Sequence, residues 1–421
     1  MDQDGNRYWL DSLKGKGVRP GLENIEELLH RLGDPQVGMR TVHVAGSDGK
    51  GSVCAMVESI LLASDMLVGM FTSPSIMRVN ESIRIGGEEI ADDDLEDVLS
   101  LVRPHVEAMA AEGMECTSFE VLTATALLQF HRVDVDIAVV EVGMGGRLDS
   151  TNVVVPEVVA INNVCVEHRE FLGDNLRDIA YEKAGIMKHG VPCVTVNEGV
   201  VLDVLESRSD EVGCTLNVVR RSEVEVVSSR PDQIDMVYGG VAYTVGLPGR
   251  HQAYNAALAI GTVSMLSDFH DRIEEHVHEG LENVVWPCRM QKMMGMPVVV
   301  DVTHTVNGAE CLRRDIEEIY GSVLLVIGML EDKDLDGVSR ELAEIADRVY
   351  VTAPDSPRAA PSERMFEVMC QYHDDVTEFS DVAFAMDDAM DTRGDSTILV
   401  TGSFRMAEDA LRWLMDRSSR S

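Results

Sequence analysis

The spacing of hydrophobic and polar positions divides the chain into alternating strands and helices. Short β-branched runs at 41–44, 135–142 and 158–162 predict buried strands, each followed by a polar or glycine-rich loop. Longer stretches at 92–111 and 118–130 carry apolar residues three and four positions apart, and they predict helices. This alternation is typical of an α/β fold with a mostly parallel sheet.

The stretch 192–246 differs, because short β-branched runs alternate there with turns. It predicts a smaller antiparallel β patch on the first domain. Near residue 290 the strand–helix alternation starts again, as in a second doubly wound α/β domain. We therefore predict a central-sheet domain over 1–290 and a Rossmann-like α/β domain over 291–421, joined by a linker at 287–295.

Two local features modify this pattern. Pro104 lies inside the predicted helix 92–111, and proline lacks an N–H and clashes with the preceding turn, so we expect a kink or a split there. The last residues, 419–421, are expected to fray, as chain termini commonly do.

The most specific local signal lies between Thr41 and Met56. A predicted strand and a predicted helix flank the loop Gly46, Ser47, Asp48, Gly49, Lys50, Gly51 and Ser52. Backbone N–H groups in such a loop, and the helix N-terminus after it, bind phosphate. Lys50 would supply positive charge and Ser52 a ligand for Mg²⁺. The alternative is a tight turn with a solvated lysine, because Gly51 interrupts the full G-x-x-x-x-G-K-[ST] spacing.

The net charge of the chain limits the classes of partner that it can bind. Lys and Arg number 36 against 73 Asp and Glu, a formal net charge of −37. Such a surface repels nucleic acid and anionic membranes, so we predict small-molecule substrates and neither of those partners. The acidic balance also fits a salt-adapted cytoplasm. A phosphate site in so negative a chain needs local positive charge, which makes Lys50 more informative.

Cysteine usage and hydropathy indicate a cytoplasmic protein. The 8 cysteines are scattered without a C-x-x-C pair or a zinc-like Cys/His spacing, as expected for reduced thiols. The first ten residues lack the basic and apolar regions of a signal peptide. The sequence contains no apolar run of about 20 residues that would predict a membrane span.

Ordered motifs across nearly the whole chain resemble one family, the folylpolyglutamate synthase/dihydrofolate synthase branch of the Mur ligase superfamily. The motifs are, in order, GSDGKGS (46–52), FTSPSIMRVNESIRI (71–85), SFEVLTATA (118–126), EVGMGGRLDSTNVV (141–154), HREFLGDNLRDIAYEKAGIMK (168–188), LPGRHQAYNAALA (247–259), WPCRMQ (286–291), DVTHTVNGAE (301–310) and MLEDKD (329–334). The resemblance implies a P-loop-type N-terminal domain and a glutamate-ligase-like C-terminal domain.

The resemblance also implies a reaction. An ATP γ-phosphate passes to a folate-type carboxylate, and the amine of L-glutamate attacks the resulting acyl phosphate. Such chemistry depends on charge neutralisation more than on a covalent nucleophile. ATP and two Mg²⁺ ions are the expected cofactors, pterin or folate acid and L-glutamate the expected substrates, and a monomer the expected state.

Several residues are candidates for the metal and catalytic sites. Ser52 and Glu141 lie at loop and strand ends that face one crevice, which suits the first Mg²⁺. The resemblance adds Ser73 and His168, with His168 serving the second ion; by itself His168 would be an ordinary loop histidine. The resemblance further implies a carbamylated Lys183, whereas the pattern alone suggests a solvated Glu–Lys pair. Lys50, His168 and Lys183 are the catalytic candidates.

Further candidates concern the nucleotide. Asn255, Arg289, Asp301 and His304 match the family positions that hold adenine, ribose and phosphate. Arg289 would be a cation for phosphate. By itself Asp301 could equally be a helix N-cap.

Three positions depart from the family pattern, and the one at Ser75 leaves the acceptor open. Asp48 replaces a loop asparagine and adds negative charge near phosphate, which is unfavourable unless it faces away or meets Mg²⁺. Ser75 replaces a histidine near the expected substrate cleft, and Thr305 replaces an asparagine at the nucleotide site. The alternatives are a Mur-type ligase with a different pterin or another carboxylate acceptor, and a degenerate nucleotide-binding regulator.

Overall fold

The computed structural model describes residues 4–17 and 19–418, so the tail at 419–421 lies outside the described residues. Contacts divide the chain into two compact units. One comprises Met1–Glu223 with Tyr254–Asn283, and the other comprises Val224–Ala253 with Val284–Ser421. Each unit has its own mostly parallel sheet, and this confirms the predicted α/β class with a second α/β domain.

The first unit is built on a sheet of eight strands in the order β4-β3-β2-β5-β1-β6-β7-β8. The strands are β1 (Thr41–Ala45), β2 (Val68–Phe71), β3 (Ile83–Ile85), β4 (Glu88–Glu89), β5 (Ile137–Glu141), β6 (Val158–Ile161), β7 (Cys193–Thr195) and β8 (Leu216–Val218). The helices are α1 (Asp4–Ser12), α2 (Glu23–Arg31), α3 (Lys50–Ala63), α4 (Asp92–Ala111), α5 (Ser118–Val133), α6 (Arg169–Leu172), α7 (Leu176–Ala184), α8 (Gly199–Val212), α9 (His251–Val263) and α10 (His270–Glu282).

The centre of this sheet is parallel, and this places the loops. β1 pairs with β5 on one side and β6 on the other, and β5 also pairs with β2. Every residue of these four strands is buried, as expected for strands covered on both faces. The loops that leave their carboxyl ends therefore meet at one edge, where open α/β sheets bind ligands.

Helix α3 packs closely against α10. Gly280 of α10 lies so close to α3 that an added Cβ would stand 2.4 Å from Ile60 Cα. The Ser59 hydroxyl also donates to the Gly280 carbonyl at 2.6 Å. The α3–α10 contact thus fixes the helix that carries Lys50 at its N-terminus.

The prediction for 192–246 was wrong in part. β7 and β8 extend the parallel sheet, and α8 lies between them in the chain. Val200 and Val201 favour strands by propensity, but Val201 and Leu205 recur at helical spacing and are buried, so packing decides. The antiparallel patch is restricted to three strands, β9 (Val224–Ser229), β10 (Ile234–Tyr238) and β11 (Val241–Val245).

This antiparallel sheet belongs to the second unit, where β9 contacts α11 (Val306–Tyr320). The compact units therefore do not follow a single boundary at residue 290, and the domain limits 1–290 and 291–421 stay a prediction. The predicted linker 287–295 contains β12 (Gln291–Lys292), which pairs with β13 (Val298–Val300).

The main sheet of the second unit has six strands in the order β12-β13-β17-β14-β15-β16. The remaining strands are β14 (Val323–Ile327), β15 (Ala346–Val351), β16 (Val376–Glu378) and β17 (Thr397–Thr401). The remaining helices are α12 (Leu335–Ala343), α13 (Ser362–Met369), α14 (Val382–Thr392) and α15 (Phe404–Ser418). α10, α14 and β16 were not predicted.

The expectation of a split at Pro104 was wrong. α4 runs unbroken from Asp92 to Ala111 with Pro104 inside it. Pro104 is exposed, so its ring lies on the solvent side of a helix whose opposite face is buried. Among the described residues, the helices are too short or too polar for any of them to span a membrane. All 8 cysteines are free thiols.

The α3–α10 contact generates a stability prediction. Gly280→Ala is expected to lower the free energy of unfolding by at least about 2 kcal/mol, because the new methyl group meets helix backbone that cannot move aside. Urea unfolding of the variant measures this. Glu279→Ala, on the exposed face of the same helix, is the control, and equal stability of the two variants would contradict the packing.

Candidate functional site

The Lys50 side chain is folded back over its own loop. Its Nζ donates to the carbonyls of Gly46 and Ser47, both at 3.1 Å. Burial lowers the pKa of Lys50, but the carboxylates of Glu167, Glu141 and Asp48 outweigh burial and raise it. The raised pKa favours the charged ammonium, and the two hydrogen bonds hold it at the loop.

Lys183 comes to the same carbonyl from α7. Its Nζ donates to Gly46 O at 2.7 Å and to Glu167 Oε1 at 2.8 Å, and the residue is 1% exposed. Burial lowers the pKa of Lys183. Burial opposes ionisation of Glu167 too, yet Lys183 and Lys50 hold the pKa of this carboxyl at about 2. The Lys183–Glu167 pair is buried, so the solvated Glu–Lys pair considered for Lys183 is wrong.

Glu141 and Ser73 are brought together by adjacent strands. Glu141 ends β5, is 4% exposed, and accepts a hydrogen bond from the Ser73 N–H at 3.0 Å. The turn after Ser73 is shaped by Glu81, which accepts from the N–H groups of Ile76, Met77 and Arg78. Ser52, in the first turn of α3, is fully buried.

These donors can be tested against Mg²⁺. Among the residues that the structure describes, His, Cys, Asp and Glu form no group of three or more that could hold a metal ion. The described side chains therefore do not form a complete metal cage by themselves. One carboxylate, Glu141, with the hydroxyls of Ser52 and Ser73 suits Mg²⁺, which keeps several waters and takes the remaining oxygens from substrate phosphates. The residues fit an ion that is held jointly with a nucleotide.

His168 lies at the N-cap position of α6 in a left-handed conformation, with φ 44°. Its Nε2 stands 3.8 Å from Glu167 Oε2, and its side chain is 36% exposed. The structure thus places His168 beside Glu167, which bonds Lys183 and interacts electrostatically with Lys50. Glu167 was missed from the sequence, where its only signal was its place beside His168.

Asn255 is joined to the loop 46–52 through Asn162. The Asn162 Nδ2 donates to Asp48 O at 3.0 Å and to Asn255 Oδ1 at 2.8 Å. Asn197 in turn donates to the Asn162 carbonyl at 2.7 Å. Asn162 and Asn197 were missed as well, because isolated asparagines after strands carry no motif of their own.

The Asp48 carboxylate accepts from the Cys165 thiol at 3.4 Å. Burial and Asp48 both raise the pKa of Cys165, so this cysteine stays a thiol and can donate. The carboxylate of Asp48, which replaces the family asparagine, is thus satisfied by the Cys165 thiol on the loop after β6.

Three predicted residues lie in the second unit. Asp301 follows β13, is 4% exposed, and accepts from the N–H groups of Met290 at 2.9 Å and Thr303 at 2.7 Å. The N-cap of α11 is Thr305, which accepts from Gly308 N, so the N-cap role considered for Asp301 is wrong. Arg289 stacks on the Phe404 ring, and His304 lies against the same ring.

A histidine that the sequence analysis did not select lies in electrostatic range of this group. His251 Nδ1 is 3.0 Å from Asp315 Oδ2, and Asp315 also accepts from Arg250 N at 2.8 Å. Burial lowers the pKa of His251, but Asp315 and Asp301 outweigh it and the pKa is raised, with Arg289 opposing.

Models of two protein families match the chain. The Mur ligase middle domain matches residues 44–263, and the Mur ligase, glutamate ligase domain matches residues 288–404. The chain therefore belongs to the Mur ligases.

Similar proteins identify the branch of the Mur ligases to which the chain belongs. The dihydrofolate synthase/folylpolyglutamate synthase of Bacillus subtilis is 33% identical over 377 residues, which cover 86% of this chain and 87% of that protein. The crystal structure of Mycobacterium tuberculosis folylpolyglutamate synthase complexed with ADP and AMPPCP has a TM-score of 0.88, 30% identity and 98% coverage of both chains. The chain is a member of the folylpolyglutamate synthase/dihydrofolate synthase family.

Some relatives are longer. The probable bifunctional folylpolyglutamate synthase/dihydropteroate synthase of Haloferax volcanii is 33% identical over 415 residues, 96% of this chain but 49% of that protein. The chain spans about half the length of the bifunctional relatives that it matches.

The buried ion pair generates a stability prediction. Glu167→Gln leaves the Lys183 ammonium without its counter-charge and is expected to lower the free energy of unfolding by about 3–5 kcal/mol near neutral pH. The folded-state pKa of Glu167 is depressed from 4.5 to about 2, so the difference from wild type should disappear as pH falls through that window.

Urea unfolding at several pH values measures this difference. Glu182→Gln is the control, because Glu182 pairs with the half-exposed Arg147 and the change should cost less than about 1 kcal/mol. Adding Lys183→Met to Glu167→Gln should restore most of the lost stability. Equal effects of the two glutamine variants would contradict the buried pair.

Proposed function

We propose that the protein is an ATP-dependent ligase that adds L-glutamate to a folate-type carboxylate through an acyl phosphate. One observation carries the proposal. The loop 46–52, with Lys50 charged within it, lies in a unit whose parallel strands also bring Glu141 and Ser73 to the same edge. Family membership supports the same reaction, since relatives are named as synthases of this type.

The first step requires neutralisation of phosphate charge. The loop residues Gly46, Ser47, Asp48, Gly49, Lys50, Gly51 and Ser52 are proposed to bind the ATP phosphates through backbone N–H groups and the α3 N-terminus. Entering phosphate oxygens would replace the Gly46 and Ser47 carbonyls as acceptors for the Lys50 ammonium. The acceptor carboxylate then attacks the γ-phosphorus, the bond to the β-phosphate oxygen breaks, and ADP leaves.

Mg²⁺ would neutralise phosphate charge at this edge when bound. Ser52, Ser73 and Glu141 are the residues proposed to hold the first ion, and His168 the second. Glu141 is oriented by the Ser73 N–H, which donates to its Oε2 at 3.0 Å.

Lys183 is proposed to become carbamylated, its neutral amine adding to CO₂ with loss of a proton. Burial lowers the pKa of Lys183 and so favours the neutral amine. The Glu167 ion pair must open first. The carbamate would then provide a carboxylate beside His168.

Asn255 is proposed as a nucleotide-binding residue of the first unit. Arg289, Asp301 and His304 are proposed separately as nucleotide-binding residues of the second unit. Asp301 and the Arg289 guanidinium are suited to ribose hydroxyls and phosphate respectively. We further propose that the protein is a cytoplasmic monomer; its free thiols are typical of a reducing compartment.

Removal of the loop lysine tests the first step. Lys50→Ala is expected to fold normally and to lower kcat about 10²–10³-fold, because one charge partner of the transition state is lost. The exposed Lys292→Ala is the control and should keep wild-type turnover. Near-normal ligation by folded Lys50→Ala would refute the assignment of this loop.

Position 75 tests the acceptor. Serine is smaller than histidine and carries no imidazole, so the pocket at Ser75 is expected to be roomier and less cationic. Ser75→His should shift the ratio of kcat/KM between dihydropteroate and glutamylated folate by about 1–3 kcal/mol, the value of one polar contact.

The assay is incubation with ATP, Mg²⁺, L-glutamate and a panel of pterin acids, followed by mass spectrometry of the products. If Ser75→His changes kcat/KM for every acceptor by the same factor, position 75 has a structural role and does not select the acceptor. If only an unrelated carboxylate is ligated, the assignment of a folate acceptor is rejected and the assignment of the protein as a ligase stands.

A further inference from the structure

Asn162 contacts the phosphate loop at two glycines. Gly46 has φ 151° and Gly49 has φ 76°, both in the region that favours glycine. A Cβ at Gly46 would stand 2.9 Å from Asn162 Cβ, and one at Gly49 would stand 2.5 Å from Asn162 Nδ2. Asn162 therefore leaves no room for a Cβ at either position, and both positions need glycine.

The Asn162 amide has one chemically possible orientation. It faces the backbone carbonyl of Asp48, which can only accept, so the atom at 3.0 Å must be Nδ2. The second hydrogen of this NH₂ group points to Asn255 at 2.8 Å, so Asn255 must present its Oδ1 there. Asn162 thereby fixes the orientation of the Asn255 amide and leaves the Asn255 NH₂ group as the donor towards its other side.

Asn162 is itself held rigidly. It is 1% exposed, its N–H donates to Ala45 O at 2.8 Å, and its carbonyl accepts from Asn197 Nδ2 at 2.7 Å. Asn197 is 6% exposed and also accepts from Val164 N at 3.0 Å. A buried amide in such a network transmits its position to the groups it bonds, because each alternative leaves a polar group unsatisfied.

We infer that Asn162 is a positioning residue for nucleotide binding, which holds the loop backbone at Asp48 and orients the Asn255 amide. This inference rests on the proposed function only in that the loop binds nucleotide phosphates. Asn162 need not contact the nucleotide. Its role is to keep two nucleotide-binding elements in register before the ligand arrives.

The sharpest variant is Asn162→Asp, which keeps the size of the side chain and replaces the donating NH₂ by an acceptor. It would face two other acceptors, Asp48 O and Asn255 Oδ1. Asn162→Ala removes the same bonds without adding charge. Loss of two buried hydrogen bonds should raise the Kd for ADP about ten- to a hundredfold.

Asn80→Ala is the matched control. Asn80 is also 1% exposed, and its Nδ2 likewise donates twice, to Ile90 O at 2.8 Å and Asp92 Oδ1 at 3.0 Å. It should lower the melting temperature as Asn162→Ala does and leave the Kd for ADP unchanged. Asn197→Ala, which loosens only the support of Asn162, should raise this Kd by a smaller factor and remains informative if the Asn162 variants fold poorly.

The measurement is calorimetric titration of each full-length variant with ADP, alongside thermal unfolding. In turnover, the KM for ATP should rise more than the KM for L-glutamate. Wild-type ADP affinity in folded Asn162→Asp and Asn162→Ala, or an equal loss in Asn80→Ala, would overturn the inference. Because the readout is nucleotide binding, absence of glutamate ligation by the wild type would refute the proposed function separately.

Discussion

The side chains of Lys50 and Lys183 both donate to one backbone carbonyl, that of Gly46. The site depends on how the electrostatic repulsion between these two lysines is offset. Lys50 and Lys183 repel each other, and burial of Lys183 removes the water that would screen them. Glu167 compensates, since it bonds Lys183 directly and remains ionised at low pH. The arrangement keeps positive charge at the loop in a chain whose net charge is −37.

The parallel sheet makes this balance possible. Residues that are 137 positions apart, Gly46 and Lys183, meet because β1 and β6 are neighbours and their carboxyl-terminal loops share an edge. The same geometry brings Ser73 to Glu141 from β2 and β5. Phosphate entering the loop would offer Lys50 a stronger acceptor than the backbone carbonyls of Gly46 and Ser47.

Sequence patterns identified the features whose signal is local. β1, the glycine loop and α3 follow one another within the chain, so strand character, glycine spacing and helical periodicity agree there. α8 was missed because Val200 and Val201 favour strands and only their packing against the sheet makes them helical. Glu167 and Asn162 were missed because their roles depend on partners that are 16 and 114 positions away, Lys183 and Asp48, and a single sequence carries no record of such pairs.

The central claim is that the phosphate loop serves to activate a carboxylate. It is tested most directly with a pteroate-type acid whose carboxylate carries heavy oxygen, incubated with the enzyme, ATP, Mg²⁺ and L-glutamate. Formation of an acyl phosphate transfers one carboxylate oxygen to phosphorus, so the account predicts one heavy oxygen in each inorganic phosphate released per amide formed. Amide formation with unlabelled phosphate, or phosphate release without an amide product, would contradict it.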